Sequence, residues 1–469
     1  MARFLSRFLS RFLSRFLSRF LSLLLAVPAL LTASHASADT PALAAEIAAR
    51  SDMRRNLEEL CDGIGPRMSG TPSLRRAQEW AMQKLRGYGA VNVRLEPYDL
   101  GRPWQRGPAR ARLLNANGLH LNVLQKAWTA GTPGPIRADL ALLNAKSLAD
   151  FNAALPGLKG KIVLAEATPR EAPRQALREA GVAAVLQISG REDGLQDMWG
   201  GPGQRYGSSA GIITREHASL LKRLLARGIT PRIELSLQGG FAAKPVQEHN
   251  VVADFPGSEP GGEMVILGAH LDSWDLSSGA SDNGVGVVAM LEVMRAMRAA
   301  GRQPKRTLRI VLFSGEEQGL LGSKAYVAAH HAELARIQAV LVLDAGSGRI
   351  LAYPDMNVEA WYAGLAAALK PAAAMGEIDV HYAVGMGSDQ DSFFRQGIPA
   401  FAPLQETRNY RSHTQHSQVD TIDHVDHDGL LQAAQVTAIL AWELLNGERL
   451  PHAPKASPAA AGGAATTSK

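Results

Sequence analysis

Cysteine is almost missing from this 469-residue chain: Cys61 stands alone, so no internal disulfide is possible. Its setting, "NLEELCDGIGP", reads as helical, which makes it a buried, inert thiol rather than a nucleophile. Stability must therefore come from a packed core or from bound metal. Excess charge is missing too. The formal net charge is +6, but the first 38 residues hold five arginines and no acid, and without those five charges +1 remains. That balance, with no stripe of interleaved basic and aromatic residues, excludes a nucleic-acid binder. Past residue 38 no apolar run is long enough to cross a bilayer. What is left is 46% hydrophobic and 20% charged, the composition of a globular protein with room for two or three domains.

Residues 1–38 read "RFLSRFLSRFLSRFLSRFLS", then "LLLAVPALL", then "TASHASA". A charged start, an apolar centre and small residues at Ala36 and Ala38 predict a secretory signal cleaved after Ala38. The repeated tetrapeptide also suits a basic amphipathic helix lying on a membrane. No cysteine follows the apolar run, so no lipid anchor is expected. The protein is expected to be exported, to the periplasm or beyond, without a stable membrane anchor after cleavage.

Downstream, helical apolar spacing covers 41–62 and 73–87, broken by the turn "GIGPRMSGTP", and "VNVRLEPY" alternates like a strand. Residues 102–134, rich in Gly, Pro, Arg and Asn, show no clear element. These segments make 39–134 the first part of a larger domain. Residues 135–240 read as an inserted α/β module without a ligand or nucleophile cluster. From 241 to 449 buried strands alternate with helices. That pattern argues for an α/β fold with a mixed, mainly parallel twisted sheet covered by helices on both faces. The small, polar residues 450–469 read as a disordered tail.

In such sheets, sites form at the carboxyl ends of strands, and here those ends are loaded. "EMVILGAHLDS" delivers His270 and Asp272. "TLRIVLFSGEE" delivers Glu316 and Glu317. "IQAVLVLDAGS" delivers Asp344. The loop "SWDLSSGASDNGVG" adds Asp282, and "SHTQHSQVDT" adds His416. Burying so many carboxylates together costs many kcal/mol unless positive charge sits among them. No Lys or Arg lies in these motifs. A divalent cation is the economical answer, and imidazoles with carboxylates and no thiolate suit zinc, with manganese or cobalt as alternatives.

The ordered set "GAHLDSWDLSSGASDNGVG", "SGEEQGLLGS", "LDAG", "GSDQDSFFRQGIPA" and "HSQVDT" resembles the co-catalytic zinc metallopeptidases that include bacterial leucyl aminopeptidases and carboxypeptidase Q. The wording "HLDSWD" is closest to carboxypeptidase Q. The resemblance covers about 40–449 and implies a zinc-exopeptidase fold in which 135–240 is an inserted protease-associated domain. It implies two zinc ions per chain. Asp282 would bridge them, His270 and Asp344 would complete one site, and Glu317 and His416 the other. Glu316 would be the general base, and Asp272 would hold His270 from behind. Short peptides would be the substrates and a homodimer the assembly.

The bland readings are a solvated Glu pair, a core imidazole at His270, a helix cap at Asp282 and a turn acid at Asp344. Trp274 reads as loop packing, and Ser388, Asp389 and Phe393 as a pocket wall. Some relatives carry a Tyr beside the last His; Gln415 stands there here, leaving Tyr410, His413 or the metals to stabilise an oxyanion. Two other functions remain on the same scaffold: a non-catalytic binding protein, and a glutaminyl cyclase-like or N-acyl amino acid hydrolase.

Overall fold

The computed structural model describes residues 39–455 except 174, 203–206, 260–261 and 386. The expected leader, 1–38, and most of the expected tail lie outside the described residues. Among the described residues no helix is long and apolar enough to cross a membrane.

Six strands form the central sheet: β1 (Val91–Gly101), β2 (Val246–Phe255), β3 (Met264–His270), β4 (Thr307–Phe313), β5 (Ile337–Val342) and β6 (Ala400–Phe401), in the order β1-β2-β4-β3-β5-β6. β3, β4, β5 and β6 run parallel, while β1 and β2 pair antiparallel at one edge. The sheet is thus mixed and mainly parallel, as the sequence predicts. Alternate residues feed two cores: Val265, Leu267, Leu308, Ile310 and Leu312 face one, and Ile266, Val311, Phe313, Val340 and Val342 the other. Burial on both faces explains why these strands read as unbroken apolar runs.

Helices Val285–Ala299 and His427–Asn446 cover the first face with the amino-terminal helices, whose Cys61 is 2% exposed. Burial pushes that thiol up to about 11, which keeps it protonated and inert. Helices Leu321–Ala329 and Gln390–Phe394 lie on the second face, where Tyr326 and Phe393 pack against Phe313.

Register positions the chemistry. His270 is level with Phe313, and Gly268 with Val342. Because β3 lies between β4 and β5, its terminal His270 is flanked by the acids that follow those two strands.

The second sheet has eight strands and begins earlier than residue 135. Ala109–Leu113 pairs with Arg232–Leu237, and Val123–Gln125 with Ala210–Ile213. A short pair, Trp104–Gln105 with Gly240–Phe241, forms the neck to the central sheet. The strands between 109 and 125 were missed because they are short and carry arginines on their exposed positions, as in "ARARL". A second boundary also moves. Residues 450–453 are not tail: Leu450 is 4% exposed, Pro451 O accepts from Trp361 Nε1 at 2.7 Å, and Ala453 N donates to Gly397 O at 2.8 Å. With His452 Nε2 at 2.8 Å from Ile337 O, these contacts hold the segment down.

Helix Val285–Ala299 approaches β5 so closely that a Cβ on Gly286 would overlap Leu343 O and the Asn283 side chain. Gly286→Ala is therefore expected to cost about 1–3 kcal/mol of stability by overpacking, read by denaturant unfolding. An unchanged midpoint would show that the helix is free to shift.

Candidate metal centre

β3 ends in His270, and its ring is oriented from behind. Nδ1 lies 2.9 Å from the main-chain oxygen of Asp272, whereas the Asp272 carboxylate is 3.7 Å away. It is thus the carbonyl that takes the Nδ1 proton, which leaves the Nε2 lone pair facing the acids. The Asp272 carboxylate instead accepts from Glu316 N at 3.3 Å and from Ser69 Oγ at 3.4 Å.

Asp282 stands between the two imidazoles. Its Oδ1 is 3.1 Å from His270 Nε2, and its Oδ2 is 3.2 Å from His416 Nε2. Asp344 Oδ1 flanks His270 at 3.3 Å, and Glu317 Oε2 flanks His416 at 3.0 Å. Ligand atoms of His270, Glu316 and Asp344 lie within 4.8 Å of one another, as do those of His270, Asp282 and Glu317. The neighbouring glutamates diverge, Glu316 toward the Asp344 side and Glu317 toward His416. Two donors each about 2.1 Å from a tetrahedrally held zinc are roughly 3.4 Å apart, close to the spacings observed here. Both the donor types and their separations fit zinc.

Asp282 does not cap the following helix; Asn283 does, its Oδ1 accepting from Gly286 N at 3.0 Å. Phe393 is fully buried in the core and lines no pocket, a correction to the sequence reading that follows from its packing against Phe313 and Tyr326. Ser388 and Asp389 are also buried, and neither Asp389 oxygen has a hydrogen-bond partner. Trp274 packs with Met68, Trp104, Trp128 and Met198, as a loop-packing residue should. His413 is exposed beside Ser412, whereas Tyr410 is buried.

Charge dominates this pocket. Asp272 and Asp389 are 0% exposed and Asp282 3%, and among the described residues no Lys or Arg lies within 4.0 Å of the clustered carboxylates. Burial raises Glu316 well above the usual carboxylate range, with Asp344, Glu317 and Asp389 adding to it. Burial likewise pushes Glu317 up to about 7 against the pull of His416. For Asp282 burial acts upward too, but the two imidazoles outweigh it and hold the carboxyl well below its ordinary value. Burial alone would lower both imidazoles; Asp344, Asp272 and Asp282 raise His270, and Glu317 and Asp282 raise His416, well above the usual value. The raised glutamates and imidazoles alike report a shortage of positive charge.

The model for peptidase family M28 matches residues 250–441. All of His270, Asp272, Asp282, Glu316, Glu317, Asp344 and His416 fall inside that matched stretch. Carboxypeptidase Q of Bos taurus is 32% identical over 305 residues, 61% of this chain and 63% of that protein, so the chain spans less than two thirds of that relative. Carboxypeptidase Q of Homo sapiens is 29% identical over 304 residues, with the same coverage. Among solved structures, a peptidase M28 precursor from Shewanella amazonensis SB2B superposes with a TM-score of 0.80 at 27% identity, covering 91% of this chain and 100% of the other. A zinc aminopeptidase from Bacillus subtilis shares the fold, with a TM-score of 0.65 at 20% identity, covering 83% and 94%.

Two residues that hold this site together were not singled out from sequence. Arg67, 0% exposed, donates to Leu271 O, Gly65 O, Ser278 O and Gly279 O at 2.6–3.1 Å, bracing the loop between His270 and Asp282. Asp420 accepts from Ser281 N and Ser281 Oγ at 2.6 Å and from Asp282 N at 3.1 Å, fixing the backbone that carries Asp282. The arginine inside "GIGPRMSGTP" and the acid inside "HSQVDT" were the available signals. Partners that orient metal ligands govern affinity by 10- to 100-fold. Asp420→Ala is expected to weaken zinc binding by about that factor in a competition titration with a chromophoric chelator; unchanged affinity would remove Asp420 from the site.

Proposed function

We propose that the protein is an exported di-zinc exopeptidase that hydrolyses dipeptides or removes terminal residues from short peptides. The observation that carries this reading is the single carboxylate of Asp282 with one oxygen toward each imidazole, flanked by Asp344 on one side and Glu317 on the other. The similarity to proteins named carboxypeptidase Q and zinc aminopeptidase supports it. In this reading the eight-stranded unit is the protease-associated module, and the expected leader supplies export. A complete set of donors counts against a binding protein that has lost catalysis.

His270, Asp282 and Asp344 would hold one ion, and Asp282, Glu317 and His416 the other. When bound, the cations supply Lewis acidity, lowering the pKa of a water and polarising the scissile carbonyl. Beside bound cations the Glu316 carboxyl would be ionised despite its burial, and Glu316 would accept the proton of the attacking water. Glu316 then delivers that proton to the leaving amine. Tyr410 is kept protonated, since burial first and the charges of Asp282, Asp344 and Glu317 next raise its phenol well above the usual value. A neutral buried hydroxyl beside these acids is suited to donate to the developing oxyanion, a role that the exposed His413 does not suit.

The test of the base is Glu316→Gln. Zinc content should stay at the wild-type level while kcat for an unblocked dipeptide falls by about 10²- to 10⁴-fold. Retained turnover would exclude Glu316 as the base. A wild-type enzyme that cleaves no member of a panel of free, N-blocked and C-blocked dipeptides would overturn the exopeptidase reading.

A further inference from the structure

The loop after strand Ala184–Ile188 of the second sheet leaves its own unit and is stitched to the loop that carries His416. Met198 N donates to His416 O at 2.9 Å, Gln196 N to Gln418 Oε1 at 2.9 Å, and Arg191 Nη2 to Gln415 O at 2.9 Å, with a bridge between Asp197 and Ser417. His416 itself has φ 60°, a left-handed conformation uncommon outside glycine, and these bonds help fix it. The loop is pinned at its far end as well. A Cβ on Gly200 would lie 2.6 Å from Ala127 O, and one on Gly201 2.7 Å from Gln318 O, immediately after Glu317.

Between these anchors stands Trp199. Its ring meets the His416 ring edge-on, with centroids 4.1 Å apart, yet the residue is 48% exposed. Packing between the two units does not depend on it. Met198, fully buried, does that work in one cluster with Trp104, Trp128 and Trp274. Trp274 borders His416 from another side at 6.0 Å and is 4% exposed. One indole is therefore committed to the interior, and the other is held rigidly beside a metal-ligand side chain with much of its surface uncovered. An indole fixed against His416 with half its surface uncovered is placed to contact whatever enters the site.

We propose that Trp199 is a specificity-determining wall of the substrate site, taking an apolar or aromatic side chain of the peptide next to the scissile bond. The inserted unit would then be part of the active site, and the inference rests on the exopeptidase reading above. An indole face gains from apolar area and from aromatic stacking.

The experiment compares kcat/KM for Phe- or Leu-containing dipeptides with that for Gly-Gly, in wild type, Trp199→Ala, Trp199→Gln and Trp199→Phe, with zinc content measured for each. Wild type should prefer the bulky apolar substrates. Trp199→Ala and Trp199→Gln should lower the preference ratio about tenfold, while Trp199→Phe keeps most of it. Rates that fall in parallel with the ratio unchanged, or a loss of zinc in Trp199→Ala, would overturn the proposal by assigning Trp199 to holding His416. A wild type that hydrolyses no peptide would instead refute the exopeptidase reading, and this inference with it.

Discussion

Everything in the central sheet's rim answers to an excess of buried negative charge. Asp272, Asp282, Glu316, Glu317, Asp344, Asp389 and Asp420 crowd around two imidazoles, and no lysine or arginine among the described residues pairs with them. Each uncompensated buried ion costs several kcal/mol. Left to themselves the groups find partial relief by moving protons: the carboxyls of Glu316, Glu317, Asp389 and Asp420 rise, while the imidazoles are drawn toward their charged form and hold Asp282 low. Divalent cations remove the conflict at its source, and they do so with donor types suited to zinc.

The fold makes that crowding possible. Parallel strands place their carboxyl ends side by side, so three short chain segments deliver His270, the glutamate pair and Asp344 to one rim. The remaining ligands ride on loops, which need bracing. Arg67 and Asp420 brace the Asp282 loop by binding its backbone, and the second unit braces the His416 loop from above. Stability and chemistry are therefore coupled, because the bonds that hold the loops also set the metal geometry.

What was legible in the sequence is what has a local signature. An apolar run that stops at an acid or a histidine predicts both a buried strand and a site at its end, and His270, Glu316, Glu317 and Asp344 are brought together as that pattern suggests. The helix read over 73–87 from its apolar spacing is Pro72–Gly87, with Thr71 as its cap. Less legible was the early start of the second sheet, because Ala109–Leu113 finds its partner only at Arg232–Leu237, far along the chain. Arg67, Asp420 and Trp199 were hidden for the same reason. Each acts on a segment remote in sequence, so "GPRMS", "QVDTI" and "DMWGG" show the residue but not the contact it makes. His330, to which the sequence assigns no role, stacks on Tyr326 and bonds Glu96 at 2.8 Å, which raises its pKa.

The direct measurement of the central claim is the metal content of the protein purified without chelators, determined by elemental mass spectrometry and followed by zinc titration of the stripped chain. Two zinc ions per chain, bound with a gain in melting temperature, are predicted. A chain that carries no divalent metal and takes up none on titration would contradict the account.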